Sequence, residues 1–287
     1  MSALDGRMEE AIRNALREDV GLGDITTECT IPTDLPGTGI FLSKANGILS
    51  GIDVVETVLA MVDERLHLET HIRNGMPLLR GMKIATVRGP IASMLTAERT
   101  ALNFLQRMSG IATMTASMVK LVEGREVKIL DTRKTAPGLR AFDKRAVRDG
   151  RGTNHRFGLD DMVLIKDNHI AAAGGITSAV EMVRGRLPRE RRLRVEVETR
   201  SLQDVLEALS CEGVDVIMLD NFPIDELAPA VRLIKTRRPG IEVEASGNVN
   251  EGTIRDIAES GVDSISVGAL THSVKALDIS FDIAADE

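Results

Sequence analysis

Apolar residues recur along this chain with two different periods. From Lys128 onward, short β-branched runs alternate with amphipathic stretches of helical period, the pattern of repeated βα units around a parallel sheet. The spacing predicts six strands: KILDT (128–132), MVLIKD (162–167), RVEVET (194–199), VIMLD (216–220), EVEAS (242–246) and SISVG (264–268). Helices such as SLQDVLEAL lie between the later ones, with Leu202, Val205, Leu206 and Leu209 on the apolar face, and Ser201 and Asn250 stand where N-caps belong. Six strands are fewer than a complete barrel has, so the expected fold is an incomplete, TIM-like β/α barrel.

The first hundred residues read differently. They predict a helix near 8–20, the turn-rich stretch EDVGLGDITT, and strands near 38–44, 66–72 and 83–88 around a helix near 51–62, a separate α+β domain. A long helical stretch from about Met94 to Glu123, interrupted near Ser109-Gly110, should connect the two. The tail ALDISFDIAADE alternates like a strand and should return to the N-terminal sheet. The expected division is therefore 1–107 with 273–287 for the first domain and 108–272 for the barrel.

Strand ends carry the chemistry, because in a β/α barrel they converge on one mouth. Arg133 and Lys134 follow the first barrel strand, His155 and Arg156 sit in a Gly-rich loop, and Lys166 ends the next strand. Together they make a pocket for a multiply charged anion, since arginine forks bind carboxylates through two bonds. Glu198 and Asp220 end successive strands with Asp167 nearby, and hard oxygens beside a cationic pocket suit Mg²⁺ and ribose hydroxyls. Glu196 shares a strand face with Glu198, which leaves the choice between them open. Ser246-Gly247-Asn248 and Gly268-Ala269 follow the last two strands, where small residues let backbone N–H groups approach a phosphate.

Charge sharpens this picture. The 287 residues carry a net charge of −7 with no Trp and no Tyr, which disfavours nucleic acid. Yet between Arg133 and Arg156 stand eight basic residues and two acidic ones, a concentration suited to a small anionic ligand. Cys29 and Cys211 lie far apart and read as reduced thiols. No apolar run is long enough to span a membrane, and the polar, acidic start MSALDGRMEEAIRNALRED points to the cytoplasm. Walker A and Rossmann glycine patterns are absent.

The segments KTAPGLR, GTNHRFGL, IKDNH, VEVE, MLDNF, EASGN and SVGALTHS resemble the successive signature blocks of the quinolinate phosphoribosyltransferase family, in its order. EDVGLGDITT and AERTALNFLQRMSGIAT resemble its remaining blocks. The resemblance implies an N-terminal α/β sandwich domain, an incomplete β/α barrel, and a homodimer with shared active sites, with a hexamer of dimers as a further assembly open to it. It implies that Arg99 reaches substrate carboxylates across the dimer, and that Thr132, Arg133, Lys134, His155, Arg156 and Lys166 form the rest of the quinolinate and pyrophosphate pocket. Glu198 and Asp220 then serve ribose and Mg²⁺, and Ser246, Gly247, Asn248, Val267, Gly268 and Ala269 form the 5'-phosphate cradle. Lys134, His155, Lys166, Glu198 and Asp220 are the expected catalytic residues. Two positions depart from the family pattern: Arg145 where an aromatic residue is frequent, and Arg151 within a loop that is often all glycine.

The implied reaction joins quinolinate to phosphoribosyl pyrophosphate (PRPP) with loss of CO2, in NAD biosynthesis. It requires Mg²⁺ but no organic cofactor. The residues alone leave open a base transferase for another acid, a Schiff-base aldolase using Lys166 or Lys134, and a non-catalytic anion sensor.

Overall fold

The computed structural model describes residues 4–188 and 190–285. In chain order the elements are α1 (Gly6–Val20), α2 (Ile25–Thr30), β1 (Pro36–Ser43), β2 (Gly47–Ile48), α3 (Ile52–Val62), β3 (His67–Thr70), β4 (Pro77–Leu78), β5 (Lys83–Pro90) and α4 (Ile91–Leu121). They continue as β6 (Lys128–Leu130), α5 (Arg140–Asp149), β7 (Val163–Ile165), α6 (Asp167–Ala173), α7 (Ile176–Arg186), β8 (Val195–Thr199), α8 (Leu202–Ser210) and β9 (Val216–Asp220). The last are α9 (Ile224–Arg237), β10 (Glu242–Ser246), α10 (Ile254–Glu259), β11 (Ser264–Ser266), α11 (Ala269–His272) and β12 (Ile279–Ala285).

The chain forms two compact units. The first comprises the residues through Ala116, Lys134–Arg151 and Leu270 onward; the second comprises Ser117–Arg133 and Gly152–Ala269. This division differs from the sequence expectation mainly in assigning α5 to the first unit. The reason lies in its charges: Asp143 is fully buried and held by a fork from Arg107, Nε to Oδ1 at 2.9 Å and Nη2 to Oδ2 at 2.8 Å. Arg145 pairs with Asp53, Asp149 accepts from Ser50 Oγ at 2.5 Å, and Lys144 is buried. Several basic residues of the 133–156 cluster are therefore committed to packing, and the expected anion-holding charge narrows to those outside α5. Arg145 fills its position as an ion-pair partner, and Arg151 adopts φ 66°, the left-handed region that explains glycine's frequency there.

In the first unit, β12-β1-β5-β3 form an antiparallel sheet. The tail does return to it, with Phe281 opposite Phe41 and their rings 4.4 Å apart; Asp286 and Glu287 of that stretch lie outside the described residues. The expected break in the long helix does not occur: α4 runs unbroken through Ser109 and Gly110. Those residues are small for packing reasons. A Cβ on Gly110 would lie 2.2 Å from the Lys275 carbonyl oxygen, and Ser109 Oγ is buried against the Ser50 backbone, accepting its N–H at 3.0 Å. The turn-rich stretch is also shorter than expected, because Asp24 caps α2 by accepting Thr27 N–H at 3.0 Å.

The second unit is a six-stranded parallel sheet ordered β6-β11-β10-β9-β8-β7. All six strands fall within the predicted runs. The first strand pairs with the last, as rolling the sheet requires, while β6 and β7 do not pair with each other, so the barrel is open there. Ser201 caps α8 as expected, accepting Asp204 N–H at 3.1 Å. Leu202, at the helix start, is exposed rather than facing the core, which Val205, Ala208 and Leu209 occupy. Asn250 caps a tight turn instead of α10, accepting Gly252 N–H at 2.9 Å, and α10 starts later, at Ile254.

Candidate active site

The carboxyl ends of the barrel strands bring together most of the predicted residues. Strand β8 is buried on both faces, and its alternation puts Glu196 and Glu198 on the same one. They do different things. Glu196 Oε2 lies 3.1 Å from His155 Nε2, with Glu244 Oε2 at 3.5 Å from the same nitrogen. Ser266 Oγ donates to the other Glu244 oxygen, whereas Glu196 Oε1 is buried with no hydrogen-bond partner among the described residues. The loop before this triad is anchored by Asp131, fully buried after β6. It accepts His155 N–H at 2.9 Å and the Asn154 side-chain amide. Asp131 thus positions the loop rather than facing a ligand.

Two influences meet at the His155 ring. Burial works against a charged ring, but the bonds to Glu196 and Glu244 outweigh it and push His155 up to about 9. The Arg156 backbone N–H, 2.7 Å from Nδ1, works the other way, because only an unprotonated Nδ1 can accept it. Glu196 is raised by its burial and then by the charge of Glu244. The ring therefore stands between a glutamate pair that favours its charged form and an N–H that favours an unprotonated Nδ1.

Beside the triad, Arg156 donates from Nη1 to the Met162 carbonyl at 3.1 Å. Its pKa is lowered, first by burial and then by the charge of Arg133. Thr132 and Arg133, both partly buried, continue directly from β6. Lys134 and Arg99 belong to the first unit. The Lys134 carbonyl accepts from Thr271 Oγ1 at 2.7 Å, and Arg99, on α4 and 58% exposed, pairs with Glu98 at 3.6 Å.

Glu198 lies nearer the strand end, beside other acids. Burial and then Asp220 raise its pKa, while Lys166 Nζ stands 3.9 Å from Oε2. The sequence reading missed Arg200. Its Nη2 lies 2.8 Å from Asp167 Oδ2 and 3.3 Å from Glu198 Oε1, and its Nε lies 3.7 Å from Asp220 Oδ2. The two glutamates differ in their surroundings: Glu196 stands against His155, and Glu198 stands with Asp167 and Asp220 around Arg200.

The small residues lie at the end of β10 and in the loops that follow β10 and β11. Ser246 registers with Asp220, and its carbonyl accepts Asn221 N–H at 2.8 Å. Gly247 has φ 91°, and a Cβ there would lie 2.2 Å from Asn221 Oδ1. Asn221 and Asn248 also take left-handed conformations, with φ 56° and 51°, and Asn248 Nδ2 donates to Asn221 Oδ1 at 3.1 Å. Val267 N–H bonds the Leu130 carbonyl at 2.9 Å and so ties the Gly268-Ala269 turn to β6. Asn221 went unread because an Asn after a strand end is commonplace; the signal for Glu244 was an acid at the centre of the strand run EVEAS, between apolar Val243 and Ala245.

Comparison with known proteins agrees with this geometry. The family "Quinolinate phosphoribosyl transferase, C-terminal domain" matches residues 111–282, and its N-terminal domain counterpart matches residues 24–109. A quinolinate phosphoribosyltransferase [decarboxylating] 2b, mitochondrial, of Nicotiana tabacum is 45% identical, covering 96% of this chain and 82% of the relative. A nicotinate-nucleotide pyrophosphorylase [carboxylating] of Mycobacterium leprae is 43% identical, covering 96% of both chains. The structure of the nicotinate-nucleotide pyrophosphorylase from Francisella tularensis superposes with a TM-score of 0.91 at 37% identity, covering 99% of this chain and 98% of that one. With both domains matched and the strand-end residues gathered as described, the chain belongs to the quinolinate phosphoribosyltransferase family.

Proposed function

We infer that the chain transfers the phosphoribosyl group of PRPP to quinolinate with decarboxylation, giving nicotinate mononucleotide, CO2 and pyrophosphate in de novo NAD biosynthesis. The observation that carries this reading is the pair of partly buried arginines at one end of the barrel sheet, Arg133 following β6 and Arg156 beside His155, whose charges suit a dicarboxylate. Quinolinate offers one carboxylate beside its ring nitrogen and a second next to it.

The ring nitrogen attacks C1 of PRPP as pyrophosphate departs. Holding two anions in register is mainly a positioning problem, met here by arginines on the acid and lysines 134 and 166 on the departing charge. The quaternised nitrogen then stabilises the electron pair left at C2 when CO2 leaves, and a solvent proton fills that position. Glu198, Asp220 and Asp167 supply the hard oxygen donors that suit Mg²⁺, and the three are close enough for one guanidinium to reach them all. Bound there, Mg²⁺ would neutralise charge on the departing pyrophosphate. Ser246, Gly247, Asn248, Val267, Gly268 and Ala269 are the groups assigned to the 5'-phosphate. A homodimer in which Arg99 reaches the partner's substrate completes the site, and exposure of Arg99 on α4 supports it.

Among the described residues no helix is long and apolar enough to cross a membrane. The cytoplasm is the compartment we assign, although some relatives carry mitochondrial or chloroplastic in their names. The aldolase alternative is disfavoured, because Lys134 is exposed and Lys166 is nearly half exposed beside Glu198, neither with the apolar enclosure a Schiff-base lysine needs.

The test supplies quinolinate labelled in its 2-carboxylate and follows labelled CO2. Release that requires both PRPP and Mg²⁺ is expected; no release, or release without PRPP, would overturn the reading.

A further inference from the structure

We propose that Arg200 is a resident counter-cation for Asp167, Glu198 and Asp220, displaced when the metal arrives with the pyrophosphate substrate, so that it couples the two binding events. The proposal rests on the reading of those acids as magnesium ligands.

Three carboxylates at the ends of the adjacent strands β7, β8 and β9 repel one another. Two cations answer them. Lys166 reaches only Glu198, at 3.9 Å, whereas Arg200 touches all three acids, two through Nη2 and the third through Nε. One guanidinium thereby answers the same three carboxylates that would hold a divalent ion.

The hold is built to be released. The Arg200 side chain is 56% exposed and enters the acid cluster from solvent, its pair with Asp167 being open to water, where ion pairs are weak. Its backbone is fixed independently, because its N–H donates to Asp204 Oδ2 at 2.9 Å, so the side chain can swing into solvent without moving the main chain. A metal ion alone must displace this charge and then tolerate it nearby. A metal ion accompanied by pyrophosphate gives the released guanidinium an anion to face. The arginine therefore penalises the first event and not the second, which is a coupling free energy between metal and substrate.

The test is Mn²⁺ binding followed by electron paramagnetic resonance on the full chain, with quinolinate omitted so that no turnover occurs. Wild type and Arg200→Gln are titrated with and without saturating PRPP, and Mn²⁺ held by PRPP alone is subtracted with a protein-free control. A neighbouring charge changes a carboxylate's cation affinity by roughly tenfold or more. Without PRPP, Arg200→Gln should bind Mn²⁺ at least about tenfold more tightly than wild type, and with PRPP the gain should fall below about threefold. A merely structural arginine gives no gain on removal. Equal or weaker Mn²⁺ binding by Arg200→Gln without PRPP overturns the proposal, as does an equal gain in both conditions, which would leave a repulsive charge with no coupling. If neither protein binds Mn²⁺ even with PRPP, the magnesium reading fails and this proposal with it.

Discussion

His155 Nε2 lies 3.1 Å from Glu196 Oε2, and both side chains are shut inside the barrel. On the ring's other side the Arg156 N–H stands 2.7 Å from Nδ1, a contact that only an unprotonated Nδ1 accepts. Nitrogen-15 NMR of labelled histidine should show an imidazolium for His155 at neutral pH, as a pKa pushed up to about 9 by the two glutamates requires, and a neutral Nε2–H pattern would show that the Arg156 N–H prevails. Glu196 is raised above its ordinary value by burial, so its contribution to stability is complete below the usual carboxylate range and lost as pH rises through the raised value. Glu196→Gln removes that ionisation. Its denaturation midpoint should fall less than that of wild type between pH 5 and pH 8.

Arg156 and Arg133 should make quinolinate the preferred acid. Nicotinate lacks the carboxylate next to the ring nitrogen and would leave part of the cationic pocket unpaired. Hydrogen bonds to charged groups contribute about 1.5–3 kcal/mol each, and losing one or two implies roughly tenfold to ten-thousandfold lower kcat/KM. Steady-state comparison of the two acids checks this, and comparable efficiencies would defeat it.

Arg99 should act on a neighbouring subunit's substrate. Arg99→Ala and Lys134→Ala are each expected to be inactive, and mixing them should restore part of the activity through hybrid dimers. Failure to complement, once subunit exchange is demonstrated, would place the arginine in its own chain's site.

The fork from Arg107 to Asp143 should be among the most sensitive points of the first unit. Burial raises the Asp143 pKa, and Arg107 only partly offsets it. Arg107→Met leaves the carboxylate buried and unpaired, a change that costs about 3–5 kcal/mol. Since a raised pKa means stability lost as pH rises, the deficit should be larger at pH 8 than at pH 5 in urea titrations.

Gly110→Ala should destabilise the protein although it sits inside a helix. Alanine gains about 1 kcal/mol in helix propensity, but a Cβ 2.2 Å from the Lys275 carbonyl forces the backbone apart at a cost of about 1–3 kcal/mol. Gly185 of α7 has open space around it, so Gly185→Ala should stabilise by about 0.5–1 kcal/mol. Thermal melts of the two variants should therefore shift in opposite directions.

Local pattern alone determined the six barrel strands, their βα alternation, the return of the tail to the first sheet and the cations at the strand ends, because side-chain period and strand-end chemistry are written in consecutive residues. Partners distant in sequence were decided only by the tertiary structure. Gly110 read as a helix break because its neighbour Lys275 lies far along the chain, and packing outweighed propensity. The basic run of α5 read as a ligand site because Arg107, Asp53 and Ser50 were not yet beside it. Glu196 and Glu198 are indistinguishable by alternation, and the fold separates them by depth, giving one to His155 and the other to Asp167, Arg200 and Asp220. Charge and hydrogen bonding act over a few ångströms in space, so which of several like residues performs the chemistry is set by what the closed chain puts next to it.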